Sequence, residues 1–119
     1  VPRALDLAAM RRAAPLFIGR HDFSAFRSQQ CEAEHPIRTV LYSGLTTERT
    51  FAYFDIRAHA FLRNMVRIMV GTLLYVGEGK MSVEDVETVL ESGSREEAGP
   101  TAAAKGLCLM RVRYPGEPL

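Results

Sequence analysis

Hydrophobic and polar positions change period several times along this chain, and each change marks an element. From about Leu5 to Ala14, Leu5, Ala9, Met10 and Ala13 recur on one side at helical spacing, and Pro15 and then Gly19 end the run. Gly19 to Phe26 (GRHDFSAF) has no period and is expected as a loop with Phe23 and Phe26 as apolar anchors. Ile37 to Leu45 alternates, with Ile37, Thr39 and Leu41 set against Arg38, Val40 and Tyr42, and Phe51 to Ala58 alternates as well. Thr46, Thr47, Glu48 and Arg49 form a short polar connection between the two runs, so a hairpin is the simplest pairing.

The second strand has two unlike faces. Ala52, Phe54, Ile56 and Ala58 point toward a core, while Phe51, Tyr53, Asp55, Arg57 and His59 point the other way. Two readings compete for the Tyr-Asp-Arg-His row. One is an acid/base constellation; the commoner one is a partly solvated sheet face with cross-strand pairs.

The strongest helical pattern runs from Phe61 to about Val76 and ends near Gly77 and Gly79. Its apolar residues cover most of the circumference, which predicts a buried helix. Arg63, Asn64 and Arg67 are its polar exceptions, and their spacing places them on one narrow stripe. A buried guanidinium without a partner is very costly, so at least one of these arginines must meet a carboxylate, a phosphate or water in a cleft. An internal salt bridge, for example to Asp55, and a functional site are both open at this point.

Ser82 is expected to cap a short helix, with Asp85 completing a Ser-x-x-Asp box, Val83, Val86, Val89 and Leu90 on its apolar side and Gly93 at its end. Gly99 to Lys105 reads as a loop. The last strand, Leu107 to Tyr114, places Cys108, Met110, Val112 and Tyr114 on one face and Leu107, Leu109, Arg111 and Arg113 on the other. The expected order is helix, strand, strand, helix, helix, strand. Helices on one face of a small antiparallel sheet make an α+β layer fold. Placing the last strand beside the second, with the two helices as crossover, gives a plait-like arrangement.

Composition bounds this picture. With 119 residues, 47% hydrophobic and 24% charged, residues 1–119 are expected as a single soluble domain, not a multidomain machine, a disordered tail or a fibrous repeat. The longest apolar stretch, Ile68 to Val76, is interrupted only by Gly71 and Thr72 and is about half the roughly 20 residues of a membrane-spanning helix. No secretory signal is visible, and a first residue of Val1 fits a piece of something longer.

The net charge of +1 does not announce a nucleic-acid binder, but it is unevenly spread: residues 1–76 hold ten arginines against six acids. Thirteen of the fifteen basic residues are arginine, whose planar fork suits phosphate and carboxylate recognition; codon bias in a GC-rich genome is the bland alternative. Cys31 and Cys108 are too few for a disulfide-stapled scaffold, so reduced thiols and a cytoplasmic protein are expected. Cys31 and His35 are four apart, but neither His21 nor His59 follows at ligand-like spacing, so no metal is expected.

Three ordered segments carry a resemblance. FLRNMVRIMVGTLLYVGEGK (Phe61 to Lys80) resembles the signature helix in the C-terminal half of the bacterial tRNA pseudouridine synthase I (TruA) family. GRHDFSAF upstream and TAAAKGLCLMRVRYP (Thr101 to Pro115) downstream match in the right order, so the similarity covers nearly the whole chain.

The resemblance implies an isomerase that turns uridines on the 3′ side of the tRNA anticodon stem-loop into pseudouridine, with no cofactor or metal. It implies two fused plait-like halves with the cleft between them, and a homodimer. The nucleophile would be an aspartate in a Gly-Arg-Thr-Asp-x-Gly motif of the N-terminal half, absent from this sequence. By motif position Arg67 is the arginine that pairs with that aspartate. A leucine near the start of the last strand would pack against the target base, as Leu107 or Leu109, with Leu107, in Gly-Leu, preferred. Arg63 and Asn64 would bind substrate at the cleft; for Arg57, Arg111 and Arg113, added phosphate contacts and plain surface charge both stay open.

Gly19-Arg20-His21-Asp22 imitates the catalytic motif but continues Phe-Ser-Ala-Phe, so a loop-capping role is expected for Asp22. The chain therefore holds no nucleophile and is expected to be inactive alone. Two competing readings are a stand-alone RNA-binding module and a dimerisation domain.

Overall fold

The computed structural model describes residues 5–28, 35–48, 51–62, 64–102 and 110–113. The side chains at 47, 48, 51 and 110–113 are not described, and expectations resting on them or on Cys31, Arg63, Leu107, Cys108 and Leu109 lie outside the described residues.

Helix α1 (Leu7–Ala13) starts where the Asp6 carboxylate accepts the Ala9 N–H at 3.0 Å. This satisfies one of the orphan donors that every helix start exposes. It buries Ala9, Met10 and Ala13, as the spacing predicts, and passes into a 3-10 turn at Ala14–Phe17 that opens on Pro15. Phe17 is then delivered into an aromatic core, edge-on to Phe26 at 5.3 Å and to Phe54 at 6.5 Å between ring centres. Phe23 and Phe26 are fully buried, as expected of anchors.

The expected loop at Gly19 is in part a strand. β1 (Gly19–Asp22) pairs antiparallel with β2 (Ile37–Glu48), from Gly19 opposite Val40 to Asp22 opposite Ile37. Four residues, two of them charged and one a glycine, carry no alternation signal; only the neighbouring strand makes them β. β2 runs on through Glu48, beyond the expected Leu45, and forms the predicted hairpin with β3 (Phe51–Ala58).

A bulge between Val40 and Tyr42 breaks the alternation read from the sequence. Leu41 is the extra residue, so Leu41 and Tyr42 both face outward, and Ser43 and Leu45 return to the core side with Val40. The buried Ser43 hydroxyl donates to the Ala14 carbonyl at 2.6 Å, which ties β2 to the end of α1.

Helix α2 (Met65–Gly77) begins four residues later than its apolar pattern suggests. Asn64 stands at its N-cap with φ of 62°, the one non-glycine positive φ among the described residues. Asparagine tolerates this left-handed conformation better than most residues. It turns the chain so that Leu62 is buried before the helix starts. Asn64 therefore stands at the cap and not within the helix that carries Arg67, and the expected stripe, which includes Arg63, rests partly outside the described residues.

The helix is also not buried all round. Met65, Ile68, Met69, Leu73 and Val76 are core, but Val66, Arg67, Val70, Leu74 and Tyr75 are half-buried.

Helix α3 (Val83–Ser92) has the predicted capping box: Ser82 Oγ accepts the Asp85 N–H and Asp85 accepts the Ser82 N–H. It ends at Gly93, whose N–H bonds to the Val89 carbonyl at 3.0 Å. β4 (Met110–Arg113) lies parallel to β3, with Phe54 opposite Met110 and Arg57 opposite Arg113.

Strand order is β1-β2-β3-β4, with the last strand beside the second hairpin strand and α2 and α3 as the crossover, as expected. The three helices share one core with Val40, Leu45, Phe54 and Ile56, on one face of the sheet. The architecture is α+β.

Candidate functional site

Thr72 and Gly71, the two interruptions in the apolar run of α2, mark where a distant segment lies against the helix. The Gly99 N–H donates to the Thr72 hydroxyl at 2.9 Å, and that hydroxyl donates to the Ile68 carbonyl at 2.8 Å. Thr72 is fully buried, and both of these bonds stay inside the protein. A Cβ at Gly71 would fall inside the Pro100 carbonyl, and one at Gly99 would lie 2.6 Å from Thr72 Cα. Only two facing glycines let the backbones approach this closely.

Residues 98–102 therefore form a strap along α2. Arg95 holds its outer side, donating from Nη1 to the Gly99 carbonyl at 2.9 Å and from Nη2 to Thr101 Oγ1 at 3.3 Å.

The strap ends on Arg67. The Ala102 N–H donates to the Arg67 carbonyl at 3.0 Å, and Arg67 Nε donates back to the Ala102 carbonyl at 2.9 Å. The contact uses Nε, which fixes the plane of the guanidinium. The paired Nη1 and Nη2 groups, the part of the fork that grips a carboxylate or phosphate end-on, take no part in it. Arg67 is half-buried, and the partner that orients it is a backbone carbonyl, not the carboxylate, phosphate or water that burial alone suggested.

Asn64 stands one turn before Arg67 at the start of α2; its carbonyl accepts the Ile68 N–H at 2.9 Å, and its side chain makes no capping bond. Arg63 and Leu107 lie outside the described residues, so the structure does not bring them together with Arg67 or separate them from it. Gly99, Thr72 and Arg95 were not singled out by sequence reasoning. Their signal was the Gly-Thr break in an otherwise apolar helix.

On the far face of the sheet, Tyr53, Asp55 and Arg57 are half-buried, as expected of the outward row of β3. In register Asp55 stands opposite Gly44 and Arg111, and Arg57 opposite Tyr42 and Arg113. Arg57 Nε is buried without a hydrogen-bond partner.

Asp22 is exposed and accepts the Ser24 N–H at 2.9 Å and the Ser24 hydroxyl, the loop-capping role expected for it. A cleft of about 460 Å³ between β1 and α3 is lined by Leu16, Arg20, His21, Asp22, Glu87 and Glu91, among others, and does not include Arg67. Among the described residues no group of three or more His, Cys, Asp or Glu is placed to hold a metal ion, and no helix is long and apolar enough to cross a membrane.

Fold and site together define an α+β layer domain in which a strap locks an arginine of the central helix. The chain belongs to the tRNA pseudouridine synthase family, whose model matches residues 13–115. It is 50% identical over 114 residues to a tRNA pseudouridine synthase A of Syntrophotalea carbinolica, covering 96% of this chain and 45% of that protein. It is 46% identical over 112 residues to the protein of that name from a Geobacter species, covering 93% of this chain and 45% of the relative. The protein of that name from Rhodospirillum rubrum is 42% identical over 117 residues, covering 98% of this chain and 42% of the relative. The chain thus spans less than half the length of these relatives.

Proposed function

We propose that this chain is the C-terminal half of a tRNA pseudouridine synthase that isomerises uridines in the anticodon stem-loop. Its catalytic contribution is Arg67. The observation that carries this reading is the Arg67–Ala102 clamp, which holds the guanidinium plane through Nε and keeps the two Nη groups out of the contact.

In the complete enzyme the nucleophilic aspartate comes from the N-terminal half, outside this chain. Arg67 pairs with that carboxylate, favours its ionised form and orients it. The uracil leaves the ribose by breaking the N1 to C1′ bond, rotates, and rejoins through C5; the proton lost from C5 is matched by one gained at N1, so the product is an isomer of the substrate. Atoms balance without any added group, so no cofactor or metal is needed.

The target uridine must leave its stack to reach the site. Leu107, carried by the chain that continues from the strap, packs against the flipped base, and Arg63 and Asn64 hold the substrate beside it. An asparagine held at positive φ ahead of the helix is the kind of backbone outlier that collects at functional sites. The complete protein works as a homodimer on tRNA in the cytoplasm.

The test is Arg67→Ala in the complete enzyme. Turnover is expected to fall by at least about a hundredfold, the size of a lost transition-state contact, while tRNA affinity changes little. An unchanged rate would reduce Arg67 to a structural member of the strap.

A further inference from the structure

Arg95 has no part in the reaction proposed above, yet its side chain is committed to the strap. It sits in a 3-10 turn, Arg95–Glu97, shortly after Gly93 at the end of α3. That turn has ties of its own. The Ser92 hydroxyl donates to the Glu97 carboxylate at 2.9 Å, and the Ser94 N–H donates to that hydroxyl at 3.2 Å. Glu97 is thus engaged by Ser92, and among the described residues no carboxylate pairs with Arg95. Half-buried, Arg95 instead gives both Nη groups to neutral oxygens of the strap, the Gly99 carbonyl and the Thr101 hydroxyl.

These two anchor points lie on either side of Pro100. Gly99 is held from both directions, because its N–H goes to the buried Thr72 on α2 and its carbonyl to Arg95 on the outer side. Thr101 immediately precedes Ala102, whose N–H and carbonyl hold Arg67. Pro100 and Thr101 are exposed, so side-chain packing does little to fix this stretch and the hydrogen bonds carry more of it. A charged donor makes the stronger kind of hydrogen bond, and a planar fork that engages two oxygens fixes direction as well as distance.

We propose that Arg95 is a positioning residue for the isomerisation: its fork sets the path of residues 99–101 and, through Ala102, the plane of the Arg67 guanidinium. The inference rests on the catalytic reading of Arg67 given above. Arg95 acts through Arg67 and not on the substrate. The leverage is large, since misplacing a reacting group by about 1 Å from a distant site can cost about a hundredfold in rate.

The experiment uses the complete enzyme and compares Arg95→Ala, Arg95→Lys, Thr101→Val and Thr101→Ser with the wild type, with Arg95→Ala also combined with Arg67→Ala. Pseudouridine formation gives kcat and KM for tRNA, and arginine side-chain NMR follows the Arg67 Nε–H. Arg95→Ala is expected to lower kcat at least about tenfold with KM for tRNA within about twofold, and to speed solvent exchange of the Arg67 Nε–H. Arg95→Lys keeps the charge without the fork and is expected to restore little. Thr101→Val removes one acceptor at an exposed position, so it tests the same contact with less risk to folding; a fall in kcat of about threefold is expected, with Thr101→Ser as wild type. In the Arg67→Ala background, Arg95→Ala is expected to cost nothing further, because both changes remove one function.

Wild-type kcat in Arg95→Ala, a loss that adds in full to that of Arg67→Ala, or complete rescue by lysine would overturn the proposal. So would a lower melting temperature with kcat and Arg67 Nε–H exchange unchanged, which would leave Arg95 as a brace only. If Arg95→Ala does not fold, wild-type kcat and exchange in Thr101→Val overturn it instead. Undiminished turnover in Arg67→Ala would sink the catalytic reading, and the Nε–H exchange would then decide by itself whether Arg95 positions Arg67.

Discussion

Arg67 and Ala102 bond to each other twice, once backbone to backbone at 3.0 Å and once from the guanidinium Nε to the Ala102 carbonyl at 2.9 Å. One residue of the strap therefore sets both the helix backbone at Arg67 and the plane of its side chain. Preorganisation of this kind lets a charged group act without reorganising during a reaction. It also makes Arg67 dependent on everything that keeps the strap in place.

Thr72→Val is the sharpest probe of that dependence. Valine keeps the shape but leaves the buried Gly99 N–H without its acceptor. A loss of about 1–3 kcal/mol in urea denaturation is expected, with Thr72→Ser close to wild type. If the strap positions Arg67, the valine variant of the complete enzyme also loses turnover with little change in tRNA affinity, and serine restores it. Wild-type turnover in the valine variant would separate the strap from catalysis.

Gly71→Ala should be worse for stability. Its new methyl falls on the Pro100 carbonyl, which is backbone and cannot rotate away. Displacing the strap is expected to cost about 3 kcal/mol or more, read as a lower melting temperature, and to speed amide exchange at Gly99 and Ala102. Unchanged exchange there would show that the helix, not the strap, absorbs the methyl.

Ser82→Ala tests the fold away from the site. Removing one side of the capping box of α3 should cost about 1 kcal/mol in thermal or urea melts. Turnover of the complete enzyme should not change, because Ser82 is exposed and bonds only within its own helix start. A loss of turnover would mean that α3 communicates with Arg67.

The 119-residue chain by itself, incubated with unmodified tRNA, is expected to form no pseudouridine, since the proposed nucleophile lies outside it. Adding the N-terminal half of the synthase in trans should restore turnover if the two pieces associate. Product from the chain alone would return Asp22 to candidacy, against its capping of Ser24.

Much of this was legible in the sequence, for local reasons. The Ser82 box, the hairpin partners, the inward row of Phe54, Ile56 and Ala58, and the placing of β4 beside β3 follow from caps, period and connection rules that act over a few residues. Arg67 stood out because a cation in an apolar helix needs an explanation. The three ordered motifs resemble the family by themselves, and the family match bears that out.

Only tertiary structure decided the remainder. β1 is a strand because β2 lies beside it, and Leu41 is a bulge because Val40 and Ser43 must both reach the core. Asn64 takes a left-handed turn so that Leu62 can be buried ahead of α2. The strap joins Thr72 to a backbone amide 27 residues away, and Arg67 to a carbonyl 35 residues away. A one-dimensional pattern registers the residues at each end of such contacts, here a Gly-Thr break and a lone arginine. Which ends meet depends on the packing of the whole chain, and that packing chose a backbone carbonyl to orient Arg67.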